Sequence, residues 1–188
     1  MKRRAALAVL IAALPAVGVL AGAPPVGAAG LERLIAPTTV CPGQTDPGAP
    51  AATQERAMRC MTNFARERRG PRPLSAVSAL DRAAQRKSAD ILRCDDFQHE
   101  ACGREFTFWM ERVGYLDGGC SSAGENIGWG TGSLGSARNI FTAWIRSPGH
   151  RANILAPDFR DLGVGLEVGN LDGTGGAHVW TQQFGARC

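Results

Sequence analysis

The chain has 188 residues, 44% hydrophobic and 20% charged, with six cysteines and a formal net charge of +4. Lys2, Arg3 and Arg4 carry three of those charges. The remainder is close to neutral, which removes the electrostatic case for nucleic acid or an anionic membrane surface as a partner.

The basic start, the apolar run Ala5 to Leu20 and the small residues Val26-Gly27-Ala28 make residues 1–28 a predicted signal peptide. The run is rich in Ala and Gly, is followed by Pro24-Pro25, and has no stop-transfer flank, so export is expected rather than anchoring. The processed chain of roughly 160 residues is the size of one domain. It is expected to be extracellular, monomeric and without a membrane span.

Residues 29–52 carry prolines at 37, 42, 47 and 50 and read as an extended arm rather than a packed element. Residues 53–188 form the predicted domain. Its first helix runs from about Thr53 to Arg69, with Ala57, Met61 and Phe64 at helical spacing and Gly70-Pro71 as the stop. A second starts near Ser78, whose side chain can cap it, and continues to Cys94. A short helix covers Phe106 to Val113. Another spans about Ser136 to Ser147, placing Ala137, Ile140, Phe141 and Trp144 on one face before Pro148 breaks it. Gly124 to Gly130, Leu162 to Val168 and Ala177 to Phe184 read as strands. The last two are predicted to pair as a hairpin around a loop from Asn170 to Gly176. Helices before and between late strands argue an α+β fold with helices on both faces of a sheet.

Six cysteines suit an oxidising compartment, and no CxxC spacing suggests a cysteine zinc site. About fifteen pairings are open to six cysteines. The expected set is Cys94–Cys102, which would pin the loop carrying His99, Cys41–Cys60, which would tie the arm to the first helix, and Cys120–Cys188 by remainder.

The chain has three histidines. His99 follows Phe97-Gln98, and His150 closes Ser147-Pro148-Gly149-His150. Between them Glu125 sits in the glycine-flanked run Gly124-Glu125-Asn126-Ile127. Two imidazoles and a carboxylate converging from three segments would make a metal or proton-transfer site. His178, in a strand, reads as structural or exposed.

Four blocks in order resemble the CAP superfamily of cysteine-rich secretory proteins, venom allergens and pathogenesis-related proteins. They are Phe97-Gln98-His99; Gly124-Glu125-Asn126-Ile127; Trp144 with Ser147 through Leu155; and Leu162-Gly163-Val164-Gly165 with Trp180 through Gly185. The resemblance covers about Thr53 to Gly185. It implies a three-layer α-β-α sandwich with a surface cleft, onto which His99, Glu125 and His150 map. A second acid of the animal and plant members falls at Ser147 here, a departure shared by bacterial members with the Ser-Pro-Gly-His form.

Two neutral imidazoles leave room for Zn²⁺, with Glu125 completing the shell or orienting a ring. Ser147 invites a nucleophile reading with His150 as base and Glu125 as orienter, but no nucleophile elbow surrounds it. The expected function is therefore a secreted, non-catalytic binding module for a metal, lipid or peptide. The alternatives are a metal-dependent hydrolase acting on peptides or cell-wall material, and a disulfide-stapled structural protein of the envelope.

Overall fold

The computed structural model describes residues 28–116 and 121–187. The expected signal peptide, apart from Ala28, and the expected Cys120–Cys188 bridge lie outside the described residues. Among the described residues, six α-helices and four strands follow in the order α1 (Ala28–Glu32), α2 (Ala51–Arg69), β1 (Ser75–Ala76), α3 (Ser78–Cys94), α4 (Phe108–Arg112), β2 (Ser121–Thr131), α5 (Ala137–Arg146), α6 (Pro148–Leu155), β3 (Asp161–Leu171) and β4 (Thr174–Arg187). The sheet order is β1-β3-β4-β2, with β1 parallel to β3 and the other pairs antiparallel.

Strand alternation sends side chains to two helical layers. Leu162, Val164, Leu166, Trp180 and Phe184 point to one face, where they pack with Met58 and Met61 of α2 and with Ile140, Phe141, Trp144 and Ile145 of α5. On the other face α3 lies directly on the sheet. A Cβ on Gly163 would stand 2.1 Å from the Leu80 carbonyl carbon, and one on Gly165 would stand 2.3 Å from the Gln85 nitrogen. The glycines of Leu162-Gly163-Val164-Gly165 thus admit the backbone of α3, while the alternate residues fill the opposite core. The result is the α-β-α sandwich.

Three local expectations change. The hairpin loop shrinks to Asp172-Gly173, whose φ values of 50° and 70° match a two-residue type I′ turn, so β3 reaches Leu171 and β4 begins at Thr174. Ser78 is the first helical residue of α3 rather than its cap, and Val77 takes the cap position without a side-chain bond. The arm is packed, not extended: Leu34, Ile35, Ala36, Cys41 and Gln44 are buried. The physical reason is internal satisfaction of its backbone. Gln44 donates to the carbonyls of Pro37 and Cys41, and Arg138 of α5 donates to Ala36 O and to Gln44 Oε1. The Cys41–Cys60 bridge fixes the arm to α2, and Cys94–Cys102 closes the loop after α3, as expected for both.

Candidate functional site

Strand β2 is an edge strand, and both motif histidines come to it. Asp95, in the left-handed region at φ 50°, ends α3 and turns the chain into the loop closed by Cys94–Cys102. His99 lies in that loop, and its Nδ1 stands 2.7 Å from Oε1 of Glu125. On the other side, Ser147 leaves α5 with extended backbone, as a residue before proline favours, and Pro148 opens α6. His150 falls in the first turn of α6, its Nδ1 2.8 Å from Ser147 Oγ and its ring roughly parallel to that of Trp144, with 6.4 Å between centroids.

Alternation along β2 separates these contacts. Glu125 projects to the α3 face and holds the His99 ring. Asn126 projects to the opposite face, where its amide donates to His150 O and to Gln182 Oε1. Asn153 of α6 donates to Glu125 O and Asn126 Oδ1. The His99 ring therefore meets Glu125 on one face of β2, while the His150 backbone carbonyl meets Asn126 on the other. The His99 charge adds to burial in depressing the His150 pKa below its ordinary value.

The carboxylate is locked. Glu125 is buried at 5% exposure, with Gln183 donating to Oε2 at 2.5 Å and Lys87 Nζ 3.9 Å from Oε1. Burial raises its pKa, against the lowering effects of His99, Lys87 and Gln183. The bond from Glu125 raises the His99 pKa above 6.5 despite partial burial of the ring. Lys87 is buried as well, donates to His99 O, and has its pKa lowered by burial, with Glu125 opposing.

Sequence reasoning missed Lys87, Gln183 and the Asn126–Asn153–Gln182 network. One signal was present: Lys87 interrupts the stripe Leu80, Ala84, Ile91 on the inner face of α3. A charge at such a position needs a buried partner. The glutamines carry no comparable mark, because strand polarity alone does not reveal burial on both faces.

Beside His150, a cleft of about 380 Å³ is lined by Phe97, Ile127, Gly128, Trp129, Ile140, Ala143, Trp144 and Ser147. Gly128 lets the Trp144 ring lie close against β2, since a Cβ would stand 3.0 Å from Trp144 Nε1, which donates to Ile127 O. His178 lies elsewhere, its Nε2 2.9 Å from Pro47 O, where it ties β4 to the arm.

Zinc ligation by this set meets a shortage of donors. His99 and His150 each keep Nε2 free of hydrogen bonds to described residues, while Glu125 is engaged through both oxygens. Among the described residues no group of at least three His, Cys, Asp or Glu is placed to hold a metal ion. Two imidazoles are one fewer than the three protein ligands of a catalytic zinc centre, so a cation held between them would take its remaining donors from water or from a rearranged Glu125. Glu125 also bonds to His99 rather than His150, so the Ser147–His150–Glu125 relay considered from sequence is not assembled.

The profile of the CAP: Cysteine-rich secretory protein family matches residues 60–184. The chain is 32% identical over 155 residues to the uncharacterized protein YkwD of Bacillus subtilis (strain 168), a match spanning 79% of this chain and 54% of that protein. It is similar to the structure of an extracellular protein containing a SCP domain from Bacillus anthracis str. Ames, with TM-score 0.58 and 24% identity over 71% of this chain and 40% of that one. An outer surface protein from Borrelia burgdorferi gives TM-score 0.58 at 15% identity, covering 70% of this chain and 90% of that one. At these identities the structural likeness speaks for the fold alone. The chain spans about half the length of the curated relative it matches.

Proposed function

The chain belongs to the cysteine-rich secretory protein (CAP) family, and from that premise we propose an extracellular, non-catalytic binding module whose cleft takes a lipid-like ligand. Its relatives include proteins described as extracellular and as outer surface proteins, and two disulfides suit an oxidising compartment. No helix of the described residues is long and apolar enough to cross a membrane.

The observation that carries the reading is the lining of the cleft. Phe97, Ile127, Trp129, Ile140 and Trp144 give it aromatic and aliphatic walls, and Ser147 and His150 stand together at one part of it. Phe97 is 38% exposed, a large apolar side chain left in solvent at the rim. Apolar walls with few convergent polar groups are the usual form of a small-molecule site. A peptide backbone would need a donor or acceptor at each residue, whereas an acyl chain with one polar head needs only Ser147 and His150. Glu125 is held by His99, Gln183 and Lys87, so it supports the wall carrying His99 rather than acting as a free base.

Ala143 is exposed, helical and in the lining, so Ala143→Phe fills the cleft without touching the core. Titration with dodecanoate below its micelle concentration, followed by tryptophan fluorescence, is expected to saturate at one equivalent. Ala143→Phe is expected to weaken binding at least about tenfold, a loss of about 1.4 kcal/mol, with an unchanged melting temperature. Unsaturable binding, or equal binding by the variant, would reject the lipid reading.

The hydrolase reading has one observation behind it, the 2.8 Å contact between Ser147 and His150. It predicts ester turnover that disappears in Ser147→Ala. We expect no turnover in either protein, because among the described residues no carboxylate backs the His150 ring.

A further inference from the structure

Away from the cleft, Arg33, Arg68 and Arg69 surround a concavity of about 310 Å³ together with Gly30 and Leu34. It shares no lining residue with the cleft, and among the described residues no acid lines it. All three arginines are exposed, and none takes part in an ion pair among the described residues. Glu67 is the one acid in the last two turns of α2, and nearby Glu32 is paired with Arg146 at 2.8 Å.

The same helix carries a further cation, which does not line the cup. Arg66 is buried with no carboxylate partner among the described residues, and its guanidinium donates to the carbonyl oxygens of Arg72, Ile154, Ala156 and Phe159. Burial and the charge of Arg160 both lower its pKa. Arg68 is placed by stacking over Phe64, 4.9 Å from the ring centroid. Leu34, next to Arg33 in the chain and in the lining of the concavity, is buried.

Cations at a helix C-terminus often do no more than balance the helix dipole. That reading covers Arg68 and Arg69, which lie in the last turn of α2. It does not account for the concavity in which Arg33, directly after the five-residue α1, comes together with the end of α2. The near-neutral charge of the chain beyond Arg4 hides this local excess.

We propose that the cup of Arg33, Arg68 and Arg69 is an anion-binding site for a ligand carrying two or more linked phosphate or carboxylate groups. Guanidinium forks match the oxygens of both groups bidentately. Three forks from two chain segments call for more acceptors than a single phosphate or carboxylate presents. All three arginines follow the expected cleavage position, so the site persists in the processed chain.

The probes are tripolyphosphate and citrate, which separate phosphate from carboxylate as the source of the anion. Calorimetric titration is expected to give one saturable site for at least one of them, weakening as salt rises from about 25 to about 200 mM. The double variant Arg68→Gln/Arg69→Gln is expected to lose at least about tenfold in affinity, and Arg33→Gln alone a substantial part of that. Arg68→Lys/Arg69→Lys keeps the charge while removing the forks, and is expected to fall between the wild type and the Gln pair. Arg86→Gln/Arg93→Gln, on α3, is expected to bind as the wild type does, and thermal melts report whether each variant is folded. Absence of saturable binding in the wild type would overturn the site. So would unchanged affinity in a folded Gln variant, or an equal loss in the α3 control.

Discussion

Nδ1 of His99 stands 2.7 Å from Oε1 of Glu125, and this contact joins a loop to the buried face of the sheet. The carboxylate side chain is 1% exposed and the imidazole 46% exposed. One partner is thus shut away from water while the other reaches it, and the pair carries the state of the loop into the sheet. His150, across β2, is linked to this pair by charge and by the Asn126 bridge rather than by a direct bond to Glu125.

The histidines are expected to titrate apart. His99 is raised above 6.5 by its bond to Glu125, and His150 is lowered by burial and by the His99 charge. Near neutral pH, NMR of the ring protons should show His99 retaining its proton longer than His150. Glu125→Gln should lower the His99 midpoint, and His99→Ala should raise that of His150. For His99 the native state binds the proton more tightly than the unfolded chain. Its stabilising contribution is fully present below about pH 6.5 and is lost as pH rises through the raised native value. Because the ring is nearly half exposed, solvent screening keeps that contribution small. Coincident midpoints would show that the Glu125 contact does not form in solution.

Lys87→Met tests the buried charge. Removing the ammonium leaves Glu125 with one fewer cation and His99 O without its donor, an expected loss of about 3 kcal/mol at neutral pH. Glu125 has a raised pKa, so its protonation on acidification relieves the unpaired charge. Denaturant melts should therefore show the deficit of the variant shrinking as pH falls toward that value. A deficit independent of pH would mean that Lys87 contributes by packing alone.

Gly163→Ala is expected to cost on the order of 3 kcal/mol or to prevent folding, because the new methyl meets the backbone of α3 and no rotamer can relieve it. Gly149→Ala, where no atom lies within 4 Å of the added Cβ, serves as the control and should melt close to wild type. Equal melting temperatures for the two would contradict the close approach of α3 to the sheet.

Cys94→Ser/Cys102→Ser is expected to cost up to about 2.6 kcal/mol from loop closure alone, and loss of the Cys41–Cys60 bridge up to about 3.3 kcal/mol. Freeing the first loop should also bring the His99 midpoint back toward 6.5, since the ring would no longer be held at Glu125. Peptide mapping of the unreduced protein should give both bridges, with a Cys120–Cys188 peptide as the remaining expected product. A Cys60–Cys94 peptide would refute the arrangement.

Local rules on the sequence determined the long helices and the late strand pair, whereas the cysteine pairings stayed open until the structure showed two of the expected bridges. Helical spacing of Ala57 and Met61, the Gly70-Pro71 stop, and alternation through Leu162 to Val168 each report a neighbourhood of a few residues, which is the range at which hydrophobic periodicity acts. The motif positions His99, Glu125 and His150 were legible because each sits in a distinctive short block. Their order around β2 was not. Which imidazole receives the carboxylate depends on the face of an edge strand, and a shift of one residue exchanges the faces. Only the tertiary structure gave Glu125 to His99 and Asn126 to the His150 segment. It also placed Lys87 beneath them and packed the proline-rich arm against α2 and α5. These outcomes rest on contacts between distant segments, such as Lys87 with Glu125 and Arg138 with Gln44, whose distances no local pattern encodes.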